Sequence, residues 1–199
     1  MSINKAVLQV LGLFFMASSA MAQTHGEPER CVPAARSLAA RSATSVEAAE
    51  VLELRVCPRS APSVVVALWR NPQIDSASAH ALALVSTKVR DGRILHAVQM
   101  VAEDPSRDRS QRVLAMQVIA SYAWPRLSLE ADWLAPHTTS GPVTTDNVQR
   151  NGDTEVTERA LMDAVATLQR IASGDADSRI RLAASRLHRV SLSSLERAK

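Results

Sequence analysis

Two stretches of this sequence share one spacing. Asp108 to Tyr122 reads DRSQRVLAMQVIASY, and Asp177 to Ser191 reads DSRIRLAASRLHRVS. In both, an Asp is followed four residues later by an Arg (Arg112, Arg181). Three residues on comes an Ala (Ala115, Ala184), and three further a large apolar residue (Val118, Leu187). Steps of three and four place side chains on one face of an α-helix. A chain that repeats such a helix has few ways to fold, because each copy must bury its apolar face against the next.

The interval recurs. Asp75 to Asp108 is 33 residues, and the same step back from Asp75 lands on Ser42. Asp108 to Asp177 is 69 residues, about two periods, which a long insertion and one hairpin fill. At the tenth position after each anchor stand Leu52, Val85, Val118 and Leu187, all large aliphatic residues suited to a core. The Asp–Arg–Ala–Leu spacing of the last two copies resembles HEAT repeats, especially the short kind found in bacteria. The resemblance covers roughly Pro33 to Val190 and is carried best by Asp108 with Arg112 and Asp177 with Arg181. It implies an all-α fold, an α-solenoid of about four antiparallel helical hairpins. It also implies that Asp and Arg bracket the second helix of each hairpin, and that such arrays bind other proteins. An irregular helical bundle is the alternative arrangement.

The first residues read differently. Met1 to Ala22 carries Lys5, an apolar run from Ala6 to Met16, and Ala20 and Ala22 as an A-x-A site. This pattern predicts a secretory signal peptide cleaved after Ala22. The apolar run is shorter than the ~20 residues that span a bilayer, so no membrane span is expected. The mature chain is then periplasmic or secreted, with a flexible start over residues 23–30 and a repeat domain over 31–199. Cys31 and Cys57 are the only cysteines. In an oxidising compartment they are expected to pair. Pro33 to Ser42 and Ser45 to Val56, the latter with Ser45 as N-cap, predict two antiparallel helices that bring the two cysteines together. The bond would close a loop of roughly 25 residues, worth about 3 kcal/mol.

The same signals place the other helices. Pro62 opens a helix to Trp69, and Asp75 caps one running to about Val89. Asp91 caps a helix with the stripe Ile94, Leu95, Val98 and Val101, and Asp104-Pro105-Ser106 turns into the Asp108 helix, which Pro125 ends. Arg126 to Gly152 is rich in Thr, Ser, Pro, Gly and Asn and reads as a flexible insertion. Asp153 is expected to cap a helix to Ser173, with Gly174 as a left-handed stop. Leu192 to Ala198 extends or follows the Asp177 helix.

Aromatics are 3% of residues, so the core must be built from Ala, Leu, Val, Ile and Met, which suits close-packed helices. The arginines are scattered beside Asp and Glu, which predicts a solvated mixed-charge surface and no nucleic-acid face. The histidines His25, His80, His96, His137 and His188 show no metal-ligand spacing on one helix. His80 and His96 lie on consecutive predicted helices and lack an evident third ligand. The sequence therefore assigns no catalytic residue, metal or cofactor. Glu130, Asp132, Trp133 and His137 form the densest polar cluster and are the place for a hydrolase or lyase site, should the chain be an enzyme. Trp69, Arg70, Trp124 and Trp133 are candidate partner-binding residues, because Trp and Arg dominate binding hot spots. The leading expectation is an exported helical scaffold or adaptor that binds another protein. The rivals are that enzyme and a structural envelope protein without a fixed ligand.

Overall fold

The computed structural model describes residues 27–41, 46–124 and 156–197, and among these the chain is all-α, with no strand. Helices α1 (Cys31–Ala40) and α2 (Ala48–Glu53) are followed by a 3-10 turn at Leu54–Val56. Then come α3 (Ala61–Arg70), α4 (Ser76–Val89), α5 (Gly92–Glu103), α6 (Arg109–Ala123), α7 (Glu158–Gly174) and α8 (Ser178–Arg197).

Short polar side chains set the helix starts. Asp75 accepts the Ser78 N–H at 3.0 Å, Asp91 the Arg93 N–H at 2.7 Å, and Asp108 the Ser110 N–H at 2.7 Å. Each satisfies one of the amides that a helix N-terminus leaves without a partner. Two expected starts move. Ser45 lies outside the described residues, and α2 begins after Glu47, whose N–H is taken by the Glu50 carboxylate at 3.2 Å. Asp153 also lies outside them; α7 begins at Glu158, where Thr157 Oγ1 accepts the Ala160 N–H at 3.1 Å. Gly174 is the last residue of α7 and is not left-handed. Asp175 instead leaves the helix extended, and its carboxylate takes the Asp177 N–H at 2.9 Å, which builds the turn from a side chain. The left-handed stop falls on Arg90, at φ 47°, after α4.

Adjacent helices pair as hairpins: α1 with α2, α3 with α4, α5 with α6, α7 with α8. The odd-numbered helices also touch in order, α1 to α3 to α5 to α7, and so do the even-numbered ones, α2 to α4 to α6 to α8. The fourth hairpin packs directly on the third, although residues 125–155 separate them in sequence.

The recurrence of 33 holds from Asp75 to Asp108, which cap α4 and α6. In the first hairpin it does not. Measured from Ser42, the seventh position is Ala49, which is exposed. Measured from the observed cap Glu47, the fourth, seventh and tenth positions are Val51, Leu54 and Cys57, all fully buried. The first copy is thus a shorter repeat, and Cys57 fills its tenth position.

Helix α6 lies at the centre. Four helices, α4, α5, α7 and α8, pack on it, and every residue from Gln111 to Ala123 is buried. Ala115 in α6 and Ala184 in α8 are both fully buried, and the two helices pack on each other.

Candidate functional site

The residues that define the repeat gather along the edge formed by the α3–α4, α5–α6 and α7–α8 turns. Arg112 is buried. Its Nε donates to the Ala102 carbonyl at 3.0 Å, and its Nη2 pairs with the Asp175 carboxylate of the next hairpin. Arg109 reaches the same turn and pairs with Asp177 at 2.6 Å. Arg181 stands at the position equivalent to Arg112, and among the described residues no further hairpin packs beyond it. It turns back to the carbonyls of Asp175 (2.6 Å) and Ala176 (3.1 Å).

Several residues of this edge carry no sequence signal that single-copy reading could use. Gln111, three residues after its cap, donates from Nε2 to the Ile74 carbonyl just before the previous cap, at 2.9 Å. Ser78 stands at the same position of its own helix and donates to the Val46 carbonyl at 2.7 Å. These two bonds are the same link in successive hairpins, made by different side chains. Aligning the copies on their caps would have exposed it. Arg107 closes the end of α3, donating to the carbonyls of Trp69 (3.2 Å), Arg70 (2.7 Å) and Asn71 (2.8 Å). At the opposite edge Arg90 does the same for α6, through Ser121 (3.0 Å) and Tyr122 (2.7 Å), and lies 4.7 Å from the Tyr122 ring centre. A cation near the carbonyl end of a helix also meets the negative end of its dipole.

The carboxylates of this edge are tuned for charge. Burial on its own raises the Asp175 carboxyl; the Arg112 hydrogen bond, the Asp177 N–H and the Arg112 charge together outweigh it and hold it below the usual value. Hydrogen bonds from Ser110 hold Asp108 low, and the Arg179 N–H followed by Arg109 hold Asp177 low. These groups stay ionised near neutral pH, which suits ion pairing and does not suit a general acid. Burial pushes Tyr122 up.

The other candidate residues scatter. Cys31 and Cys57 are at disulfide distance, with sulfurs 2.01 Å apart and Cα atoms 5.4 Å apart, as the hairpin geometry requires. With Glu27 they form a cluster of potential ligand atoms within 4.8 Å, but both sulfurs are already joined to each other. Trp69 is 1% exposed, and its Nε1 donates to Ser86 Oγ at 2.9 Å. That is the position of a core residue; it offers a partner no surface. Arg70 is exposed at the turn edge, while Trp124 is half-buried at the opposite edge, so the two do not form one patch. Trp133 and the Glu130–His137 cluster lie outside the described residues. His96 is exposed on α5 and His80 half-buried on α4; the two belong to different hairpins and different rows of helices.

The exposed apolar side chains point to another surface. Met100 on α5 is 61% exposed and Met162 on α7 is 44% exposed. Their helices pack side by side, linked by Gln99 to Thr167 (3.3 Å) and by Glu103 to Arg170 (2.7 Å). Methionine side chains are flexible and polarisable and adapt to a partner's shape. Among the described residues no helix is long and apolar enough to cross a membrane. Comparison with protein-family models, with curated proteins and with solved structures returns no match.

Proposed function

We propose that this chain is an exported α-solenoid scaffold or adaptor, which acts by binding another protein in the cell envelope. One observation carries the reading. The odd and the even helices each touch in unbroken order through all four hairpins, which supports a stacked array of hairpins. The Asp–Arg pattern supports the HEAT-like reading of the repeat, because in both Asp108/Arg112 and Asp177/Arg181 the Asp precedes the second helix and the Arg lies in its first turn rather than at its far end. The signal-like start and the Cys31–Cys57 pair support export.

The exposed side chains Met100 on α5 and Met162 on α7 are the ones assigned to the partner. The test is affinity capture from periplasmic extract with the wild-type protein and with a Met100→Glu/Met162→Glu variant. A specific partner retained by the first and lost by the second is expected. Both side chains are exposed, so circular dichroism should show the variant folded. No specific partner, or equal retention by both proteins, refutes the assignment.

A further inference from the structure

Helix α8 is the last of the described helices, and α6 and α7 pack against it. It carries five arginines against one glutamate, Glu196. Its buried side is Ile180, Ala183, Ala184, Leu187 and Ser191. Away from that side, Arg179, Leu182, Arg186, Arg189 and Arg197 follow at steps of three, four, three and eight residues, which keeps them on one stripe, with Glu196 seven residues after Arg189 as its single acid. The stripe runs straight for about 27 Å. None of its four arginines makes an ion pair among the described residues, whereas Arg109, Arg112 and Arg170 on the other helices all do. The sequence intersperses these cations with apolar residues; the helix gathers them on one side.

We propose that the outward face of α8 docks on an anionic phospholipid surface. Guanidinium groups pair with phosphate oxygens in a fork geometry, and a row of free arginines matches a flat, diffusely charged plane. Leu182, 51% exposed, is the large apolar side chain on the stripe available to enter the headgroup region. The helix has no Phe, Tyr or Trp. Stacking on nucleic-acid bases needs aromatics, and a protein hot spot usually centres on one, so the face suits neither partner as well as it suits lipid.

The test is co-sedimentation of the purified protein with phosphatidylglycerol/phosphatidylcholine vesicles and with phosphatidylcholine vesicles alone. Binding to the anionic vesicles only, falling as salt is raised, is expected. Each arginine near such a surface is worth about a factor of five, so Arg186→Gln/Arg189→Gln should partition about 30-fold more weakly. Arg36→Gln on α1 should leave binding unchanged. Equal binding to both vesicles, no binding to either, or no difference between the two variants overturns the proposal. So does binding to soluble polyglutamate or to single-stranded DNA without binding to anionic vesicles, which would assign the face to an acidic protein or a nucleic acid.

Discussion

Replacing Arg112 with Met tests whether the turn edge joins the hairpins. Met keeps most of the hydrocarbon volume and removes the guanidinium. The side chains of Arg112 and Asp175 are 5% and 11% exposed, so the pair is largely out of water. The substitution deletes the bond to the Ala102 carbonyl and leaves the Asp175 carboxylate without its cation. Breaking a buried pair costs 3–5 kcal/mol. Asp175 keeps the Asp177 N–H and a little solvent, which argues for the low end, about 3 kcal/mol at neutral pH. Asp175→Asn added to Arg112→Met should recover part of that loss, because the stranded charge disappears. The pH dependence is a second readout. In the wild type the Asp175 carboxyl is held low, so its contribution is complete above the unfolded-state value near 3.9 and is lost as pH falls through the lower folded value. In Arg112→Met burial is no longer opposed by the cation, so the folded value rises and protonation favours the folded state. The gap between the two proteins should therefore narrow on acidification from pH 7 toward pH 4. Guanidinium denaturation across that range measures it. A loss under about 1 kcal/mol, as for an exposed pair, or a gap that does not change with pH, would refute the reasoning.

Two further perturbations test the remaining joints. Cys31→Ser/Cys57→Ser opens a loop spanning 26 residues and should cost about 3.5 kcal/mol in chemical denaturation, with reductant lowering the wild type by a similar amount. Tyr122→Phe leaves the buried Asp91 N–H, which donates to Tyr122 Oη at 3.0 Å, without its acceptor; a loss of 1–3 kcal/mol by the same assay is expected, and no loss would mean that the hydroxyl is replaceable by water.

The helix starts were legible where one Asp stood before an apolar periodic run, as at Asp75, Asp91 and Asp108, because an N-cap is a local bond between near neighbours. Starts were misplaced where the signal was duplicated: Asp153 and Thr157 both precede α7, and Thr157 is the residue that caps it. Trp69 and Arg70 looked like a surface pair from their place at a helix end. Adjacent residues on a helix point about 100° apart, and one entered the core while the other stayed out. The cationic stripe of α8 was hidden for the same reason, since charges that alternate with apolar residues along the chain separate onto two sides once the helix forms.

The sequence alone determined the all-α class, the pairing of Cys31 with Cys57 and the 33-residue step between Asp75 and Asp108, because these rest on local periodicity and on hairpins closed over short distances. Only the tertiary structure decided which residues cross between hairpins. It chose Arg112 to Asp175, Arg107 to the end of α3, and Gln111 and Ser78 for one shared link. It also brought the fourth hairpin against the third across residues 125–155. Such contacts are set by which helix faces meet, and a spacing rule confined to one helix holds no information about its neighbour.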